Sequence, residues 1–182
     1  MRQLQKQFYY AEITFGILTL IAGVLLHFLY EWTGYNYLVS IIAPVNESTW
    51  EHLKLLFFPV VFFSIFEYCY IGKRFPAFIT ARTTGCYAGM LFIIVFFYTY
   101  TGILGTNYLW LDIFTFFFAT ALCYCLTWYL TITKKAGDHR TNLLCICLLL
   151  LTVYLFFRFT TAPPSINLFK DEAAKLVMAP FR

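Results

Sequence analysis

Long apolar segments recur along the chain at the length that crosses a membrane as a helix. They cover residues 8–30, 50–72, 78–104, 108–133 and 142–161. Each holds roughly the 20 residues that a helix needs to cross the hydrocarbon core. Helices are expected because backbone groups inside lipid must be hydrogen-bonded within their own segment. The pattern therefore predicts an all-α, polytopic protein, with about five transmembrane helices in a single integral membrane domain over residues 1–182.

Two further segments are apolar or amphipathic but too short to span a bilayer. Residues 35–45, "YNYLVSIIAPV", precede the second span, and we interpret them as a re-entrant or interfacial segment. Residues 165–178 carry apolar positions at helical spacing with charges opposite them. This second pattern predicts an amphipathic tail helix on the outer membrane surface.

Composition and charge support a bilayer as the natural environment. The chain is 61% hydrophobic and only 12% charged, whereas soluble domains carry roughly 25% charged residues. The net charge of +4 is therefore not a sign of a nucleic-acid partner. The loops "GKRFPAFITAR" and "KKAGDHR" are basic and "GILGTN" is uncharged. The positive-inside rule then predicts a cytoplasmic-membrane protein with its N-terminus inside and its C-terminus outside.

The stretch "APVNESTWEHLKLLFFP", residues 43–59, concentrates polar side chains in an apolar neighbourhood. Ser48 and Glu51 match a capping box, with Ser48 as the N-cap of the second long helix and Glu51 at its third position. Lys54 is expected to extend its amine to the headgroups. Capping does not account for the other polar residues of the stretch, among them Glu47 and His52.

Ionisable groups from four spans are predicted to meet near the outer face of the membrane. His27 and Glu31 share one face at the end of the first span, because residues four apart lie together on a helix. An isolated charge inside a bilayer costs about 2.5 kcal/mol or more, so such groups pair with one another or line a wet cavity. The predicted ligand-binding residues of this outer cavity are His27, Glu31, Asn46, Glu47, Glu51, His52, Asp112 and Arg158.

A second, smaller polar set is predicted toward the cytoplasm. Glu12, Glu67 and Arg82 come from the first three spans. The simplest interpretation is an inner salt bridge between Glu67 and Arg82. The alternative is a path gated at both ends, although the apolar run between the two sets argues against an open pore.

Three functions remain open on these residues. The first is binding or transport of a cation or a small polar solute in the outer cavity. The second is a membrane-embedded, metal-dependent hydrolase. In it His27, His52 and one or two of Glu31, Glu47 and Glu51, with Glu47 as the first choice, would hold Zn²⁺ or another divalent cation and leave a position for water. The third is a structural or assembly subunit, with a membrane-protein partner or a second copy of the chain.

Two segments carry a resemblance to a known family. They are "PVNESTWEHLKLLFFP" and the upstream pattern "GxxLHxxYEWTG" from Gly23 to Gly34. Both resemble the small bacterial integral membrane proteins of an uncharacterised, DUF6512-like family. The resemblance implies a polytopic helical membrane protein over the whole chain. It implies no activity, substrate or cofactor.

Overall fold

The fold is a bundle of helices, and the computed structural model describes residues 2–133 and 138–171. Within these ranges the helices are α1 (Arg2–Trp32), α2 (Tyr37–Ser40), α3 (Thr49–Tyr70), α4 (Phe78–Leu104), α5 (Leu109–Thr133) and α6 (His139–Thr161). Two short 3₁₀ turns accompany them, at Gly72–Arg74 and Asn167–Phe169.

Five of these helices are long and apolar enough to cross a membrane. They are α1, α3, α4, α5 and α6. The prediction of an all-α protein with five long apolar helices is therefore confirmed, and contact with a lipid bilayer follows from it. Large apolar side chains such as Ile17, Phe62, Leu91 and Leu150 are exposed on the helix surfaces, as expected where lipid replaces water.

The structure describes all of the short segment 35–45 but only residues 165–171 of the predicted tail helix. Residues 35–45 contain α2, a single helical turn capped by Asn36, whose side chain accepts a hydrogen bond of 2.8 Å from the Leu38 amide. The predicted tail helix over 165–178 begins instead with the 3₁₀ turn Asn167–Phe169. Residues 172–178 of that prediction lie outside the described residues.

Small residues allow two pairs of helices to approach closely. A Cβ atom at Gly85 of α4 would lie 2.4 Å from the carbonyl oxygen of Cys123 in α5. A Cβ atom at Gly23 of α1 would lie 2.7 Å from the carbonyl oxygen of Leu55 in α3. Neither distance leaves room for a methyl group, so glycine is required for this packing, as is common between membrane helices.

An apolar core separates two polar levels of the bundle. The core contains Leu53, Leu56, Phe57, Val60, Cys86, Cys123 and Phe156. One polar level, the histidine end, contains His27, Glu47 and His52. The other, the arginine end, contains Glu12, Glu67 and Arg82. His27 and Glu12 lie in α1, and His52 and Glu67 lie in α3, so at ~1.5 Å per residue the two levels are about 22 Å apart along each helix.

Candidate functional site at the histidine end

Helices α1 and α3 bring two histidines together at the histidine end. The ring centroids of His27 and His52 are 5.3 Å apart. Gly23 lies one helical turn before His27, and Leu55 lies nearly one turn after His52. The close approach of α1 and α3 at these two residues therefore sets the spacing of the imidazoles.

Both ring nitrogens of His52 have an oxygen neighbour. Nδ1 lies 3.0 Å from the carbonyl oxygen of Ser48, and Nε2 lies 3.2 Å from Glu47 Oε2. A carbonyl oxygen only accepts hydrogen bonds, so Nδ1 carries a hydrogen and donates it. Nε2 then has two states: protonated and ion-paired with Glu47, or a free lone pair directed at a ligand. A backbone hydrogen bond to one nitrogen, with the other free to ligate, is typical of metal-bound histidine.

The loop before α3 presents Glu47 to His52. Asn46 Oδ1 accepts a hydrogen bond of 3.0 Å from the Ser48 amide, and Ser48 Oγ accepts one of 3.3 Å from the Glu51 amide. Ser48 therefore caps α3, while Asn46 forms the turn that holds Glu47 in place. The hydrogen bond from His52 holds the pKa of the Glu47 carboxyl below its usual value, against the opposing effect of partial burial.

His27, Glu47 and His52 form a cluster with the composition of a metal site. Each offers one ligand atom, and these atoms all lie within 4.8 Å of one another. Bonds to Zn²⁺ are about 2.0–2.2 Å for these ligand types, so a bound ion would draw the three atoms somewhat closer together. Among the described residues, the buried Nδ1 of His27 has no hydrogen-bond partner. Two imidazoles and one carboxylate suit Zn²⁺ and related divalent transition metals.

The cluster borders a cavity of about 330 Å³. Its polar lining comes from His27, Glu47, Thr49, His52, Asn107, Asp112 and Thr115, and its apolar lining comes from Leu55, Ile93, Phe97, Leu109 and Phe116. Asp112, in the first turn of α5, does not belong to the three-residue cluster. The hydroxyl of Tyr100 in α4 donates a short hydrogen bond to Asp112 Oδ1 and fixes its position.

Glu51 and Lys54 form a separate, buried network. Lys54 Nζ donates to Glu51 Oε2 at 2.6 Å, to Thr160 Oγ1 at 2.7 Å and to the Ser40 carbonyl oxygen at 2.8 Å. Lys54 is fully buried, so the expectation that its amine extends to the headgroups is wrong. Partners on three segments hold it inside the bundle, and this satisfies the buried charge.

The same network removes Glu51 from the cavity. Its Oε1 accepts a hydrogen bond from Thr160 at 2.7 Å, and its Oε2 accepts one from the Val45 amide at 3.1 Å. In a full capping box the Glu51 carboxylate would accept from the Ser48 amide, but Asn46 occupies that donor. Glu51, a predicted ligand, therefore does not line the cavity, and its carboxylate joins α3 to α6.

Thr160→Val is expected to destabilise the protein by about 1–3 kcal/mol, because Glu51 loses a donor and Lys54 an acceptor in a buried place. The measurement is the apparent free energy of unfolding in detergent. Thr161→Val is the matched control, since the exposed Thr161 hydroxyl bonds only carbonyl oxygens of its own helix. Equal effects of the two substitutions would contradict a stabilising network at Thr160.

Two other predicted ligands lie away from the cavity. Glu31 is exposed near the end of α1 and does not line it. Arg158 is also exposed, and its Nη1 donates to the Ala162 carbonyl oxygen at 3.4 Å. Both lie near helix ends, where a long side chain can turn outward as readily as inward.

The arginine end contains a buried triad. Arg82 Nη2 lies 2.6 Å from Glu67 Oε2 and 2.9 Å from Glu12 Oε2. The Arg82 guanidinium also lies 4.2 Å above the ring of Tyr124, a cation–π contact. The sequence suggested the pair of Glu67 and Arg82, and the structure adds Glu12 as a second carboxylate.

Several contributors carry no signal in the sequence. Thr160 contacts Glu51, which is 109 positions away in the chain, and Tyr100 contacts Asp112, which is 12 positions away. Threonine and tyrosine are frequent in this chain and have no diagnostic spacing here. Only the positions of α4, α5 and α6 around α3 reveal their contacts.

The chain matches a protein family described as "Family of unknown function (DUF6512)" over residues 1–176. No curated protein and no solved structure matches it. Because the match extends over nearly the whole sequence, this membrane protein belongs to the DUF6512 family of unknown function.

Proposed function

We propose that the protein is a membrane protein that binds a divalent transition-metal ion, with Zn²⁺ as the best fit, at His27, Glu47 and His52. The observation that carries the proposal is the convergence of three ligand atoms to within 4.8 Å from α1, α3 and the loop between them. The buried Nδ1 of His27 supports it, because it has no hydrogen-bond partner in the described part of the chain and a buried polar atom normally has one.

The apolar core favours a binding site over a continuous aqueous channel. Leu56, Phe57 and Val60 are fully buried between the histidine end and the arginine end. An ion leaving the cavity along α3 would have to cross this layer, where an unpaired charge is costly. Binding is therefore the proposed function, and transport of the bound ion would require a second conformation in which this apolar layer opens.

The test is titration of the purified protein in detergent with Zn²⁺ by isothermal calorimetry. We expect saturable binding of about one ion per chain, because residues 2–133 and 138–171 contain one such ligand set. Mg²⁺ in excess should not compete, since it prefers oxygen ligands and octahedral geometry. Absence of saturable binding, or equal competition by Mg²⁺, would remove the proposal.

Asp112 supports a second candidate, a metal-dependent hydrolase. Three protein ligands leave a coordination position for water on Zn²⁺, and Asp112 lines the same cavity without belonging to the ligand cluster. Its carboxylate could accept the proton of a metal-bound water. Asp112→Asn should keep zinc affinity and lose any zinc-dependent hydrolysis of small esters. Turnover that persists in this variant, or no turnover in the zinc-loaded wild type, would count against the hydrolase.

We infer the bacterial cytoplasmic membrane as location, with the N-terminus inside and the histidine end outside. Lys73, Arg74 and Arg82 lie at the arginine end, which the positive-inside rule places in the cytoplasm. The basic residues Lys134 and Lys135 belong to the same inference but lie outside the described residues. Alkaline phosphatase fused after residue 171 should be active, and fused after residue 74 it should be inactive. The opposite pattern of activities would show that the N-terminus lies outside and the histidine end inside.

A further inference from the structure

The cavity at the histidine end is larger than a metal site requires. Its volume is about 330 Å³, whereas a water molecule occupies about 30 Å³ of liquid. A metal ion with one or two water ligands would therefore leave most of the space unfilled. Volumes of roughly 300–1,000 Å³ are those of small-molecule sites.

The lining of the cavity is divided by chemistry. The polar part of the lining includes the three candidate metal ligands, His27, Glu47 and His52, and the carboxylate of Asp112 from α5. Thr49, Asn107 and Thr115 add uncharged polar groups. The rest of the lining is an apolar wall of Leu55, Ile93, Phe97, Leu109 and Phe116. A guest that matches both parts has an oxygen-bearing head and an apolar tail.

We propose that the cavity binds a short-chain amphiphile whose oxygen-bearing head ligates the metal ion and whose tail contacts the apolar wall. This proposal rests on the proposed metal site. Glu47 would supply one negative charge to the ion, and Asp112 lines the same cavity as a proton acceptor. A head that is neutral in solution and gives up a proton on binding therefore fits the charge of the site. A membrane diacyl lipid has far more apolar volume than the cavity offers, which favours a short tail.

The test uses alkyl hydroxamic acids, which are neutral in solution and carry a variable tail. When both oxygens bind the metal, the N–OH proton passes to Asp112 or to solvent. The protein is loaded with Co²⁺, and the change in its visible absorption reports binding of acetohydroxamate, hexanohydroxamate and dodecanohydroxamate. Each buried methylene contributes about a fourfold gain in affinity at most. Hexanohydroxamate should therefore bind at least about tenfold more tightly than acetohydroxamate, even after losses to the detergent. Dodecanohydroxamate should gain nothing further.

Phe97→Ala separates the tail contact from the metal contact. We expect it to reduce the preference for hexanohydroxamate over acetohydroxamate by about fivefold or more, without changing the affinity for the metal. Phe62→Ala is the matched control, because Phe62 is 55% exposed on α3 and does not line the cavity. Partition into detergent is the same for wild type and variants, so it cancels in the comparison.

The outcomes distinguish failure of the amphiphile site from failure of the metal site on which it rests. Metal binding with equal affinity for acetohydroxamate and hexanohydroxamate, or an unchanged preference in Phe97→Ala, overturns the amphiphile site alone. A large further gain with dodecanohydroxamate overturns the short tail in favour of a lipid chain. Absence of metal binding overturns both the metal site and the amphiphile site.

Discussion

Replacing Arg82 with methionine is expected to destabilise the protein by about 3–5 kcal/mol, the usual cost of removing one partner from a buried ion pair. The substitution leaves the carboxylates of Glu12 and Glu67 buried, at 3% and 0% exposure, without their cation. Four side-chain atoms of the triad already lack a partner within the part of the chain that the structure describes: Glu12 Oε1, Glu67 Oε1, Arg82 Nε and Arg82 Nη1. No other partner is therefore in place to compensate.

The measurement is the apparent free energy of unfolding of the purified protein in detergent. Arg74→Met is the matched control, because Arg74 is exposed at the same end of the bundle. Neutralising the acids together with the base, in the triple variant Glu12→Gln, Glu67→Gln, Arg82→Met, should recover much of the loss, since no unpaired charge remains. If Arg82→Met and Arg74→Met unfold alike, the triad does not stabilise the fold.

His27→Ala and His52→Ala are each expected to weaken zinc binding by about 100-fold or more. Loss of groups that only orient a ligand already costs about 10–100-fold, and these two residues supply ligand atoms themselves. His139→Ala is the matched control, because His139 is exposed at the start of α6 and is not part of the cluster. Competition calorimetry with a chelator of known affinity gives the dissociation constants.

Stability separates loss of the ligand from loss of the fold. A ligand at 100 times its dissociation constant stabilises the folded state by about 2.7 kcal/mol. Wild type and His139→Ala should show this rise in apparent stability on adding Zn²⁺, and the two cluster variants should not. Their stability without metal should stay close to that of wild type. A variant at His27 or His52 that retains full zinc stabilisation would place the ion elsewhere.

The helices were predictable because lipid imposes a simple rule on the sequence. A membrane span must be apolar, long enough to cross the hydrocarbon core, and helical so that its backbone groups are hydrogen-bonded within the segment. This rule alone located five long helices. It does not determine how each helix faces its neighbours. The exposed and buried faces of a membrane helix are both apolar, so packing depends on details such as Gly85 against the Cys123 carbonyl.

The candidate site was predictable only in part. Polar residues near helix ends indicated a cavity, and His27, Glu47, His52 and Asp112 do lie around one. The same reasoning grouped Glu51 with them, because charge and position cannot distinguish a cavity ligand from a partner of Lys54. That distinction depends on Thr160, a distant threonine in α6 that accepts a hydrogen bond from Lys54 and donates one to Glu51.

Gly23 gives the histidine end an unusual dependence on one small residue. Its missing side chain lets the backbone of α1 approach the Leu55 carbonyl of α3, one turn from His27. A methyl group at this position would rotate the end of α1 or push it away from α3, while both helices remain intact. The two imidazoles would then lose their common register, so the capacity to hold an ion can disappear through a residue that has no chemistry of its own.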